Sequence, residues 1–138
     1  MNHYQFSDLS TGMKEEFTVT VDLDKMDKFY QITGDANPLH QDDSFAKNQG
    51  YPAAVAYGML TASFLSSLAG MYLPGEKSLI QSAEVKFLQP VFPGDTLRIC
   101  GEVKELNESV QRMVLKTTIY NQEQRKVLRG EMKIGFLK

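Results

Sequence analysis

The run from Gly34 to His40 reads GDANPLH and holds one carboxylate, Asp35, and one imidazole, His40, five positions apart. If the two meet at one point they can hold a water between them and pass protons to and from it, the chemistry of general acid–base catalysis. On an unbroken helix, residues five apart are rotated by about 140° and face different ways. Convergence therefore needs a bend. Pro38 has no backbone N–H and pushes Asn37 out of the α region. Gly34 admits a backbone angle closed to other residues, and the Asn37 side chain can tie off the turn. The same residues are ordinary turn formers, with Asp as a cap and His on the surface, so the bend by itself leaves both readings open.

A third candidate lies downstream in AYGML, where Gly58 opens a long uncharged stretch. The first N–H groups of a helix lack intrahelical partners and the macrodipole is positive there. A glycine at that point lets a ligand carbonyl approach the backbone, which makes the Gly58 N–H a candidate oxyanion donor. A tight helix-packing contact would account for Gly58 equally well. Metal chemistry has no such support: two histidines and one cysteine make no ligand cluster. No cofactor is expected, and His3 reads as a solvated residue of the N-terminal segment.

The elements that must position these groups fall into two halves. Before Gly75, EFTVTV alternates as a short strand, with Phe17, Val19 and Val21 on one face. Leu23, Met26, Phe29 and Tyr30 then recur at helical spacing, with Asp22 or Asp24 as cap and Gly34 as stop. DDSFAKNQG reads as a short helix stopped by Gly50, and a long helix is expected from about Tyr57 to Leu73, closed by Pro74 and Gly75. Beyond Gly75 the period becomes two. SAEVKFLQPV, TLRICGEVKEL, VQRMVLKTTIYN and KVLRGEMKIGFL each alternate apolar and polar residues, as half-buried strands do. The short connections Phe92–Asp95, Leu106–Ser109 and Asn121–Arg125 imply antiparallel pairing of successive strands.

Bulk properties narrow the class. A chain of 138 residues suits one domain, residues 1–138, and buries roughly two-thirds of its unfolded surface. Net charge is −2 and the basic residues are scattered, which argues against a nucleic-acid partner. Cys100 is the lone cysteine and the first residues carry no signal-peptide pattern, so a reducing cytoplasm is the expected compartment. No charge occurs from Asn48 to Gly75, a length that invites a membrane span. Its glycines, its hydroxyls (Thr61, Ser63, Ser66, Ser67) and the flanking Pro52 and Pro74 favour a helix buried inside a water-soluble domain instead. The economical packing is an α+β domain, an antiparallel sheet wrapped around that helix. One curved sheet cannot enclose a cylinder, so a homodimer or higher homo-oligomer is expected to cover the rest.

The stretch FYQITGDANPLHQDDSFA, with YPAAVAYGMLTASFLSSL and VKFLQPVFPGDTL after it, resembles the MaoC-like, (R)-specific enoyl-CoA hydratases, or hydratase 2. The resemblance covers most of the chain. It implies the hot dog fold, a catalytic pair at Asp35 and His40, an oxyanion donor at the Gly58 N–H, and a loop held by Gly34, Asn37 and Pro38. It also implies an acyl-CoA or acyl-carrier-protein thioester as partner and the reversible hydration of a trans-2-enoyl thioester. Relatives commonly have His where this chain has Tyr57, a phenol that does not titrate near neutral pH. Tyr57, Leu60, Phe64 and Val85 are the expected pocket residues. Alternatives on the same fold are an acyl-CoA thioesterase, a 3-hydroxyacyl-carrier-protein dehydratase and a non-catalytic acyl-CoA-binding module. Against the thioesterase, nothing acidic occurs between Lys47 and Glu76.

Overall fold

The computed structural model describes residues 1–138, and the change of period at Gly75 marks its division into helices and sheet. Strand β1 (Lys14–Thr20) is followed by helices α1 (Leu23–Thr33), α2 (Pro38–Gln41), α3 (Asp43–Asn48) and α4 (Gly58–Ser67). A π-helical turn, Leu68–Tyr72, prolongs α4. Strands β2 (Ser78–Phe87), β3 (Thr96–Asn107), β4 (Arg112–Tyr120) and β5 (Lys126–Phe136) complete the chain. The five strands form one antiparallel sheet in the order β1-β3-β4-β5-β2.

Local chemistry sets the helix limits. The Asp22 carboxylate accepts from the Lys25 N–H at 2.9 Å and caps α1, while Gly34 ends it in the left-handed region at φ 72°. Asp42 caps α3 by accepting from the N–H groups of Ser44 and Phe45. The far end of α4 and its π turn is capped through space: Asn2 donates from its side chain to the Tyr72 carbonyl at 2.7 Å and from its backbone to that of Met71 at 2.8 Å.

The core lies between α4 and the concave face of the sheet. Leu65, Leu68 and Ala69 are buried against Leu97, Ile99, Met113, Leu115, Leu128 and Ile134. Each such aliphatic side chain contributes on the order of 1.5–3 kcal/mol on leaving water. Gly101 lets the helix come close, because a Cβ there would lie 3.1 Å from Leu68 Cδ2. No helix is long and apolar enough to cross a membrane.

Three expectations change. The turn at Asn37–Pro38 starts a helix of its own: Asn37 caps α2 and Pro38 occupies its first turn, where the missing N–H is harmless. Successive strands β2 and β3 do not pair; β2 lies against β5 and β3 against β1. Their connection is pinned elsewhere, with the Val91 carbonyl accepting from Ala56 N–H, the Leu88 N–H donating to Val127, and Gly94 and Asp95 exchanging bonds with Val21. Buried Val91 anchors it as it carries the chain from one sheet edge toward the other. Finally, β2 is largely exposed instead of half buried, because its apolar face borders an open cavity and not the packed core.

The convex face carries the polar alternates. Arg98 pairs with Glu16 at 3.1 Å and lies over the Tyr120 ring, so it is engaged within the sheet. Cys100, beside them, has its thiol pushed up to about 11, by burial first and then by its hydrogen bond to the Glu16 carboxylate. It is a protonated, weakly nucleophilic thiol at neutral pH, far from the reactive range. His3 is exposed and bonds Glu76 at 2.9 Å.

Alkylation of native Cys100 by iodoacetamide should be slow at pH 8 and rise with pH toward a midpoint near 11; a midpoint at the ordinary thiol value would contradict the buried, Glu16-bonded thiol. Gly130→Ala would push a Cβ into the Glu84 carbonyl across the β2–β5 pairing, so urea denaturation should show a loss of about 1–3 kcal/mol.

Candidate functional site

The Asp35 loop is built from side chain-to-backbone bonds. The Asp35 N–H donates to Thr33 Oγ1 at 3.2 Å, and the Asp35 Oδ1 accepts from the Asn37 N–H at 3.0 Å, an Asx turn. Asn37 Oδ1 accepts in turn from the Leu39 N–H at 2.9 Å. α1 stops at Gly34 and α2 starts again at Pro38, so Asp35 and His40 belong to different helical segments and escape the angular separation of a single helix.

Both line one cavity of ≈ 730 Å³, together with Gly58. Asp35 is its carboxylate and His40 its imidazole; most of the remaining wall is apolar. His40 Nδ1 lies 2.7 Å from the Val55 carbonyl oxygen. A carbonyl can only accept, so Nδ1 carries a hydrogen, and in the tautomer this selects Nε2 is the nitrogen that holds the lone pair. The Gly58 N–H, at the start of α4, has no acceptor within the chain; the Tyr57 carbonyl is taken by the N–H groups of Leu60 and Thr61. A Cβ at position 58 would lie 3.3 Å from the Phe87 ring, so glycine keeps this helix start open. The cavity thus brings together a hydrogen-bond acceptor pair and an unpaired backbone donor at the positive end of a helix.

Tyr57 and Val85 line the cavity, and Tyr57 is only 2% exposed. Leu60 and Phe64 do not. Leu60 is buried in the core and Phe64 packs against it, because α4 turns Met59, Ala62, Ser63 and Ser66 to the cavity instead. Those positions follow the i, i+3, i+4, i+7 rule for one helical face, and the small or hydroxyl side chains of Ala62, Ser63 and Ser66 leave room there. That stripe of small residues was the available signal in an otherwise apolar helix. Ala83 and Phe87 stand with Val85 on the β2 wall, as the alternation read from sequence expects, and Ile80 joins them across the register shift between Ile80 and Ser82. Phe29 and Thr33, at the end of α1, join from the other side; nothing in the local pattern marks them. A second recess of ≈ 310 Å³ shares His40, Gly58 and Phe87 with the first.

Residues 7–126 match the model of the MaoC like domain. An (R)-specific enoyl-CoA hydratase from Aeromonas caviae is 32% identical over 89% of this chain and 92% of its own length. A 3-hydroxybutyryl-CoA dehydratase from Methylorubrum extorquens is 33% identical over 82% of this chain and 72% of its own. Among solved structures, an (R)-hydratase from A. caviae superposes with a TM-score of 0.89 at 31% identity, covering 94% of this chain and 98% of that one. An R-hydratase from Pseudomonas aeruginosa also gives 0.89, at 28% identity over 96% of this chain and 85% of that one. The sheet wrapped on α4 is accordingly a hot dog fold. By sequence and by structure, the chain belongs to the MaoC-like family of hydratases and dehydratases, hydro-lyases that act on acyl thioesters.

Proposed function

We propose that this protein is an (R)-specific 2-enoyl-CoA hydratase, adding water reversibly to a trans-2-enoyl thioester. The observation that carries the reading is the meeting of Asp35, the free Nε2 side of His40 and the unpaired Gly58 N–H at one apolar cavity. The thioester carbonyl oxygen accepts from the Gly58 N–H, which draws electrons from the conjugated double bond and leaves the β-carbon electrophilic. A water held between Asp35 and His40 loses a proton to Nε2 as its oxygen bonds to the β-carbon. Negative charge collects on the thioester oxygen, facing the helix N-terminus. The proton then passes to the α-carbon from the same side, so one water is consumed, addition is syn, and both residues return to their starting states. Gly34, Asn37 and Pro38 hold the geometry without touching the reacting atoms.

The apolar wall suits the acyl chain, with Ala83 and Val85 of β2 beside it. β2 is an edge strand with Leu79, Ile80 and Phe87 exposed at 50%, 41% and 51%. Covering that edge with a second copy, in a homodimer, would close the cavity wall and remove an exposed template for strand pairing.

Hydration of crotonyl-CoA, followed by loss of enoyl absorbance with chiral analysis of the product, tests the assignment. Asp35→Asn and His40→Ala should each lower kcat/KM by about 10²- to 10⁴-fold with unchanged circular dichroism and oligomer size. Wild-type rates in either variant, or release of free thiol in place of hydration, would refute it. Ala83→Leu should reduce turnover of trans-2-octenoyl-CoA relative to crotonyl-CoA by about 10- to 200-fold, since it narrows the wall beside the chain.

A further inference from the structure

Residues 34–37 have little to hold them in place. All are exposed, and nearly every hydrogen bond they make is to a residue within four positions: Gly34 to Tyr30, Asp35 to Thr33, Asn37 to Asp35, and Leu39 and His40 to Asn37. Local bonds of this kind shape a turn but do not fix where it lies relative to the rest of the molecule. One bond does: the Tyr57 hydroxyl donates to the Asp35 backbone carbonyl at 2.7 Å, across 22 positions of sequence.

Tyr57 also reaches His40. Its ring packs against the imidazole with centroids 4.4 Å apart and against Phe29 at 4.9 Å. The residue is buried and stands immediately before Gly58, as the N-cap of α4. Its hydroxyl accepts from Gln41 Nε2 at 3.1 Å, so its donor is spent on Asp35 and one of its acceptor sites on Gln41. With its only proton committed, the phenol cannot double as a proton donor to a bound substrate without breaking the tether.

We infer that Tyr57 is the positioning residue of the site, a rigid strut that locks the Asp35 carbonyl, the His40 ring and the oxyanion end of α4 into one geometry. This rests on the hydratase reading for its catalytic consequence, but the strut itself is a property of the fold. A buried phenol suits that role, because its ring has few torsions to freeze and its hydroxyl reaches the loop from inside the core.

The test is Tyr57→Phe, which keeps the ring and removes the tether. In steady-state crotonyl-CoA hydration kcat should fall about 10- to 100-fold, the scale of a small misplacement of catalytic groups, with KM within about two-fold of wild type. Backbone ¹⁵N relaxation should show increased motion at Asp35, Ala36 and Asn37, with β3 and β4 unchanged. Unaltered relaxation of the loop overturns the strut, whatever the reaction turns out to be. Increased loop motion with wild-type kcat overturns its role in positioning. A KM rise at constant kcat does so too, by making Tyr57 a substrate-binding group. If wild-type protein shows no hydration at all, the functional reading fails while the relaxation data still decide whether Tyr57 holds the loop.

Discussion

The structure depends on burying a helix that carries no charge. From Gly58 through the π turn ending at Tyr72, α4 offers apolar or small side chains on nearly every side, and such a helix is stable in water only when covered. The sheet covers one face with aliphatic residues from β3, β4 and β5, and the N-terminal segment supplies Asn2 to the carbonyls at the far end. At the near end no side chain caps the helix. The Gly58 N–H is therefore left facing a cavity, and the same burial that stabilises the fold creates an unpaired donor where an oxyanion can be received.

Asp35 and His40, the proposed acid–base pair, are attached to this helix by different means. His40 is fixed through its own ring, by the bond from Nδ1 to Val55 and by packing on Tyr57. Asp35 is fixed through its backbone, on a loop exposed to solvent and shaped by Thr33 and Asn37. Both residues line a mostly apolar cavity, where polar interactions are less screened than they would be in water. β2 supplies that wall while remaining an edge strand, which explains why its apolar residues are exposed in a single chain although they alternate like those of a core strand.

Much of this was legible in the chain itself because it depends on near neighbours. Asp22, Gly34, Asn37 and Asp42 act on N–H and carbonyl groups within four positions, so the limits of α1 and α3 could be read directly. Alternation located all four later strands for the same reason. Pro38 was read as a break because its missing N–H is disruptive within a helix; placed at the first turn of α2 the same property is harmless, and only the direction of the chain distinguishes the two. Pairing of β2 with β3 was expected from the short connection between them, but that connection is held by Ala56, Val127 and Val21, all distant in sequence.

By itself, then, the sequence determined the elements other than α2, the bend between Asp35 and His40, and the presence of a glycine at the start of an uncharged helix. Tertiary structure decided which way that helix faces. It turned Met59, Ala62, Ser63 and Ser66 to the cavity and Leu60 and Phe64 toward the core, a choice that a helix apolar on every side leaves undetermined. It also decided that Tyr57 reaches back to Asp35 and that Nδ1 of His40 spends its hydrogen on Val55. Such contacts join residues far apart in sequence, and their geometry is set by the packing of α4 on the sheet and not by any local preference of the backbone.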